Sequence, residues 1–377
     1  MSEKKTWVPS TSWVIIISSL NNSTQEYHPM AREKFCVGID IGSSAVKLCQ
    51  LASGKKGIEL EQYGQVALPQ GTIVEGEIND APKIVEAIKQ LKATHKIKNK
   101  YAAFSVSGAS VIIKKITVPT MTPEELELNI QWEAEQYIPF NIDEVNLDFH
   151  VLHSDTAEQG HMEVILVAVK KEYINEYIAI ITAAGFEPAV CDVDAFALEN
   201  MFLGSYEFPE NESIALVNVG ATKTNINILT NGVSSFTRDL QVGGNTFTTE
   251  IGNILAISQD EAESLKLGDS DNASITPEVE QAIQGVADNI TSELQRTIDF
   301  YSATSADAPP SQIYLTGGSA RLEVLEQSIK SRMWVTVTQL DPFFNLTTEA
   351  HDPTYLANQA PSAAIAVGLA LRYPGDS

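Results

Sequence analysis

The chain has 377 residues, of which 44% are hydrophobic and 20% charged, and its formal net charge is −24. That balance excludes a disordered tail or a collagen-like repeat and suits a soluble globular protein long enough to bury two cores. So acidic a chain also argues against nonspecific capture of nucleic acid or of an anionic membrane face, because phosphates would meet a repulsive field.

The first 29 residues differ in character from the rest of the chain. Trp13-Val-Ile-Ile-Ile-Ser-Ser-Leu20 is apolar but far short of the about 20 residues that span a bilayer, and no small-residue cleavage site comes after it. Met30 opens a short polar lead into the first strand, so translation is expected to begin there. Phe35-Cys-Val-Gly-Ile-Asp40-Ile-Gly42-Ser43-Ser44-Ala45-Val-Lys47-Leu then reads as a buried strand, a tight glycine turn and a returning strand. Small residues after the glycine let backbone N–H groups point at an anion, and a carboxylate at the strand end, Asp40, can hold a hydrated metal. Taken alone, Asp-x-Gly closes ordinary turns equally well.

Val111–Pro119 reads as a strand, and Thr122-Pro-Glu-Glu125 is a capping box with proline at the first helical position. The helix that starts there has Leu126, Ile130, Ala134 and Tyr137 on one apolar face and is expected to end at Pro139. Val145–Phe149 is extended, His161–Val169 is a strand, and Lys171–Ala184 is a helix closed by Gly185. Together they form a small α/β module inserted at about residues 110–189. Its aromatic residues Trp132, Tyr137 and Phe140 have two open readings, core packing or anchors for a bound peptide.

The hairpin pattern returns at Ile214-Ala-Leu-Val-Asn218-Val-Gly220-Ala221-Thr222-Lys-Thr-Asn-Ile-Asn-Ile-Leu229. Two distant copies suit two duplicated lobes rather than a short-period repeat. Val242-Gly243-Gly244-Asn245 is a glycine turn, and Glu261-Ala-Glu263-Ser-Leu-Lys266 is helical. Ile313-Tyr-Leu-Thr316-Gly317-Gly318-Ser319 is a strand running into a turn and a helix start. Ala363–Leu371 is a helix of small residues that permits close backbone approach. The acidic tract 269–280 and Ala308-Pro-Pro310 read as loops, and Cys36, Cys49 and Cys191 as reduced core thiols.

In this order the segments resemble the actin-like ATPase superfamily, which includes actin, sugar kinases, the seventy-kilodalton chaperones and the division protein FtsA. The resemblance implies a two-lobed α/β fold with duplicated RNase H-like cores and the small α/β subdomain inserted in the first lobe. Lobe I would span 34–195 and lobe II 196–360, a helix within 361–377 would return to lobe I, and 1–33 would be an extension outside the homology. Val190–Ala197 looks like the small-residue helix that crosses between the lobes.

The resemblance also implies ATP and Mg²⁺ as cofactors. Asp40 would hold Mg²⁺ through water, helped by Asp192 or Asp194. Gly42, Ser43, Ser44 and Ala45 would meet the phosphates together with Asn218, Gly220, Ala221 and Thr222, and Lys47 would reach the β-phosphate. Gly243, Gly244, Asn245, Lys266, Gly317, Gly318 and Ser319 would surround the adenosine. Members of the superfamily commonly carry aspartate where this chain has Asn218. Asparagine keeps an acceptor oxygen but loses the charge, so slow or absent hydrolysis is expected.

Trp132-Glu-Ala-Glu-Gln-Tyr137-Ile-Pro-Phe140, with Val118–Pro123 before it and Asp143–Phe149 after it, resembles a signature of the PilM family of type IV pilus assembly proteins. That family is cytoplasmic, binds ATP, and docks the N-terminal peptide of the inner-membrane protein PilN beside the inserted subdomain. The resemblance implies an adaptor, peripheral to the inner membrane through PilN, with Trp132, Tyr137 and Phe140 along the peptide groove. An FtsA-like filament protein is an alternative, although Leu371–Ser377 is too short and polar for the amphipathic membrane helix that FtsA uses. A kinase of the sugar-kinase branch would need a carboxylate base, and no clear candidate stands out.

Overall fold

The computed structural model describes residues 35–153, 160–209, 212–268 and 276–376. The expected start at Met30 and the apolar stretch at 13–20 lie outside the described residues. Two compact units emerge: one runs to Glu207 and takes in Pro342–Pro353 and Ile365–Ser377, and the other holds Phe208–Asp341 and Thr354–Ala364.

In the first unit the chain forms β1 (Val37–Ile41), β2 (Ala45–Gly54) and β3 (Gly57–Ala67), then a small hairpin of β4 (Ile73–Val74) and β5 (Glu77–Ile78). Next come α1 (Ala81–Thr94), β6 (Tyr101–Val106), β7 (Val111–Pro119), α2 (Pro123–Ala134), β8 (Val145–His153) and β9 (His161–Lys170). The unit continues with α3 (Lys171–Ala183), β10 (Glu187–Val193) and α4 (Asp194–Ser205). Its main sheet has the order β10-β6-β1-β2-β3, with β1 antiparallel to β2 and parallel to β6. β1 is buried along nearly all its length, as a central strand covered on both faces must be.

The second unit holds β11 (Ser213–Val219), β12 (Thr224–Thr230), β13 (Val233–Leu240), α5 (Gly244–Leu255), α6 (Gln259–Leu267) and α7 (Pro277–Thr304). β14 (Gln312–Thr316), α8 (Glu323–Met333) and β15 (Thr336–Gln339) come after them. Its sheet order, β13-β12-β11-β14-β15, repeats the first one strand for strand, with the same parallel and antiparallel senses. This is the duplicated actin-like α/β architecture. The last helix, α9 (Pro353–Ala370), contributes residues to both units.

Local chemistry explains many of the boundaries. The Thr122 capping box opens α2, and a second box, Ser258 with Glu261, opens α6. Gly185 closes α3 at φ +84°, where any other residue would be strained. The three cysteines are free and buried, and burial pushes the Cys36 thiol up to about 12.

Several expected boundaries move. The insert is the three-stranded sheet β7-β9-β8 with α2, ending at Lys170, because β10 joins the main sheet beside β6. Val190–Val193 finishes that strand, so the helix expected from Val190 begins at Asp194, after a run rich in β-branched valine. α2 ends at Ala134, five residues before Pro139; the N–H groups of Tyr137 and Ile138 both turn back to the Ala134 carbonyl. Within the acidic tract, Pro277–Glu280 begins α7, with proline at the first turn and acids near its positive end, while 269–275 lies outside the described residues.

Close backbone approach fixes where α9 lies in the first unit. A Cβ on Gly368 would fall 1.7 Å from the Ala197 carbonyl oxygen of α4, and one on Gly38 of β1 would fall 2.2 Å from the Ala366 carbonyl oxygen. Gly368→Ala is therefore expected to destabilise the protein by about 2–3 kcal/mol through overpacking. Urea unfolding checks this, and a midpoint equal to wild type would contradict the contact.

Candidate functional site

The two hairpins close in the same way. In the first, the Gly42 N–H donates to the Ala45 carbonyl at 3.1 Å; in the second, the Gly220 N–H donates to the Lys223 carbonyl at 2.9 Å. Two residues before each glycine stands the strand-end position, and it faces a partner across the ladder: Asp40 opposite Lys47, and Asn218 opposite Asn225. The duplicated positions carry different chemistry. Lys47 Nζ lies 3.0 Å from Asp40 Oδ2 in a mostly buried ion pair. In the second copy the Asn218 amide donates to Asn225 Oδ1 at 3.2 Å, and Asn225 donates to Asp239 Oδ1 at 2.6 Å. The carboxylate thus sits at the strand end in the first hairpin and two strands away, on β13, in the second.

In the second unit, three glycine turns converge. The N–H groups of Gly244 and Asn245, at the start of α5, donate to the carbonyls of Gly220 and Ala221 at 2.8 and 2.7 Å. Ser319 Oγ donates to the Gly220 carbonyl at 3.3 Å. Only glycine fits at two of the crossings: a Cβ on Gly243 would fall 2.6 Å from the Gly220 carbonyl oxygen, and one on Gly317, at φ +94°, would fall 2.4 Å from the Val219 carbonyl oxygen. Lys266 of α6 reaches over α5, donating to the Gly244 carbonyl at 3.3 Å, Thr248 Oγ1 at 3.0 Å and Glu263 Oε2 at 2.6 Å. The structure therefore gathers Gly220–Thr222, Gly243–Asn245, Lys266 and Gly317–Ser319 into one cradle of backbone with a buried ammonium.

Asp192 has a different role from the one expected. It is 1% exposed, and its Oδ2 accepts from Arg372 Nε at 2.9 Å and Nη2 at 2.6 Å, while the Val193 N–H donates to Oδ1 at 2.8 Å. Burial pushes its pKa up and the guanidinium pulls it back. This carboxylate anchors the segment after α9 instead of serving a metal. Asp194 accepts from the hydroxyls of Ser105, at 2.7 Å, and Ser107. Among the described residues, no three His, Cys, Asp or Glu side chains cluster as a metal site.

In the insert, Leu126, Ile130 and Ala134 of α2 pack on Val164, Leu166 and Ala168 of β9. Tyr137 and Phe140 join that core, with Lys114 Nζ 5.0 Å and Lys170 Nζ 4.5 Å from their ring centres. Trp132 lies on the opposite side of α2 and is 72% exposed. Trp132 thus stands on the side of α2 away from the core that Tyr137 and Phe140 join in the segment after the helix.

Sequence reasoning passed over Arg372 and Tyr173. The Tyr173 hydroxyl donates toward the carbonyls of Gly76, at 3.2 Å, and Ser107, at 3.1 Å, joining α3 to two loops. A single arginine or tyrosine carries no spacing signal, so nothing in the pattern marks either. Asp148, near the end of the signature that begins at Trp132, has its carboxyl raised to about 6 by burial, partly offset by the Phe149 N–H at 2.8 Å.

Comparison with known proteins agrees with this geometry. The family described as Type IV pilus assembly protein PilM matches residues 38–373. A solved structure described as a PilM-PilN type IV pilus biogenesis complex is similar at a TM-score of 0.80 and 28% identity, over 90% of this chain and 98% of that one. Ethanolamine utilization protein EutJ from Carboxydothermus hydrogenoformans shares the fold at a TM-score of 0.55 and 14% identity, over 95% of this chain and 94% of its own.

The raised Asp148 carboxyl has a signed consequence. The folded insert holds that proton more tightly than the unfolded chain, so the stability it contributes is complete below the unfolded carboxyl range and is lost as pH rises through about 6. Asp148→Asn should flatten the fall in stability between about pH 4 and pH 7. Urea unfolding across that range is the measurement, and an unchanged slope would rule Asp148 out as its source.

Proposed function

We propose, starting from the fact that this chain belongs to the PilM family of type IV pilus assembly proteins, that it is a nucleotide-binding adaptor that captures the cytoplasmic N-terminal peptide of PilN. Its similarity to the PilM–PilN complex over 90% of its length carries the reading. No helix among the described residues is long and apolar enough to cross a membrane. In this reading the partner supplies the attachment, and the adaptor works at the cytoplasmic face of the inner membrane.

The nucleotide is ATP. Ser43–Ala45 and Gly220–Thr222 face its phosphates, while Gly243–Asn245, Lys266 and Gly317–Ser319 hold the adenosine. Asp40 would hold Mg²⁺ through water, where the cation would offset phosphate charge. Asp40 is already paired with Lys47 at 3.0 Å, so the cation would compete with that ammonium. The second strand end carries the neutral amides Asn218 and Asn225, with the Asp239 carboxylate one hydrogen bond behind them, which favours binding over turnover. The peptide docks at the insert, where Tyr137 and Phe140 are fixed in the core and a short extended segment can add to the sheet.

Calorimetric titration tests both halves. Wild type should bind Mg-ATP, Lys266→Ala should weaken it about tenfold, and Asp40→Ala should remove the dependence on Mg²⁺. The N-terminal PilN peptide should bind with and without nucleotide, and any difference measures the coupling between the two sites. Absence of peptide binding in both conditions would sink the adaptor reading, and absence of heat with Mg-ATP would sink the nucleotide reading.

A further inference from the structure

The second hairpin carries a line of polar side chains that runs straight across its sheet. Asn218 of β11 stands opposite Asn225 of β12, and Asn225 stands opposite Asp239 of β13. Residues opposite one another on neighbouring strands share a face, so their side chains can bond in sequence. The Asn218 amide donates to Asn225 Oδ1 at 3.2 Å, and the Asn225 amide donates to Asp239 Oδ1 at 2.6 Å. Asn225 is 6% exposed, so both of its ends depend on these protein partners.

The carboxylate gives the line its direction. An asparagine side chain has an NH2 end and an oxygen end that fit the same space either way round, whereas an ionised carboxylate only accepts. Asp239 therefore draws the NH2 of Asn225, and the Asn225 oxygen draws the NH2 of Asn218. The Asn218 oxygen is left on the other side, at the Gly317 turn, where a Cβ on Gly317 would fall 2.6 Å from it. Thr316, the neighbour of Asn218 on β14, gives its hydroxyl proton to the Pro361 carbonyl at 2.9 Å and so does not use that oxygen. In the first hairpin the strand end holds the Asp40–Lys47 ion pair instead, where charge itself fixes the orientation.

We propose that Asp239 is a positioning residue that, through Asn225, holds Asn218 as an acceptor and not a donor toward the nucleotide. The inference rests on the nucleotide reading above and adds a selection to it. A phosphate oxygen also only accepts, so it finds no partner in the Asn218 oxygen, while a water on a divalent cation donates and does. The relay thereby favours a nucleotide that comes with its cation over one that comes bare. It also accounts for asparagine at the second strand end. A carboxylate there would face the Asn225 oxygen, and one amide cannot donate on both of its sides.

Two measurements test this, one of them without nucleotide. In urea unfolding, Asn218→Asp should lower the midpoint, and adding Asp239→Asn should restore it, because the line of hydrogen bonds then runs the other way with the carboxylate at the strand end. Asn218→Asp with Asp239→Ala removes the same charge without supplying an amide and should recover less. In calorimetric titration, the wild type should bind ATP with Mg²⁺ at least about tenfold more tightly than ATP with a chelator. Asp239→Asn frees the Asn218 amide to turn its NH2 to a phosphate oxygen, and should cut that preference to at most about threefold by tightening the metal-free form. A double variant no more stable than Asn218→Asp would overturn the proposal. So would an Asp239→Asn protein that keeps the wild-type preference, the result expected if Asp239 only supports the fold. A wild type that binds neither form of ATP would overturn the nucleotide reading and the selection with it, while the unfolding series still decides the direction of the relay.

Discussion

The structure depends on a short backbone closure made twice. At Gly42 and again at Gly220, an N–H donates to the carbonyl three residues on, and that bond turns a buried strand back on itself. Each closure places its strand-end residue, Asp40 or Asn218, opposite a cross-strand partner, and each leaves small side chains at its tip. Because both sheets have the same order, the two turns occupy equivalent places in two copies of one architecture. Divergence is then confined to side chains: an ion pair at one strand end and an amide relay at the other. A neutral amide can still accept a hydrogen bond, so geometry survives where charge does not.

Around these turns, the molecule uses contact between backbones where most proteins use side chains. Gly38 and Gly368 let α9 lie directly against β1 and α4, and Gly243 and Gly317 let three turns meet in the second unit. Such crossings leave little room for variation, since interiors are packed to crystal-like density. The buried Asp192–Arg372 pair serves the same purpose by other means. Burying an ion pair is rarely a large net gain, but removing one partner strands the other charge, so the pair specifies where the segment after α9 must lie.

The insert separates its duties by face. Its inner side is a compact core in which Tyr137 and Phe140 are held under lysine ammonium groups, while the outer side of α2 presents Leu128 and Trp132 to solvent. One helix thus contributes to folding on one side and offers a surface on the other. This is the usual economy of an amphipathic helix, except that the outward side is itself partly apolar.

Much of this was legible in the order of residues. The duplicated hairpins, the capping box at Thr122, the glycine stop at Gly185 and the strand-turn-helix at Gly317 are local signals, written within a few neighbours and decided by backbone sterics and capping chemistry. The family signature around Trp132 was equally local. What only the tertiary structure decided are relations between distant positions. It gave Asp192 to Arg372, placed β10 in the main sheet rather than the insert, and turned Trp132 away from Tyr137 and Phe140. It also brought Lys266 to the Gly244 carbonyl. A carboxylate reads the same in sequence whether an ammonium, a guanidinium or a metal lies beside it. Long-range packing chooses among these, because burial makes an unpaired charge costly and the nearest compensating group then sets its role.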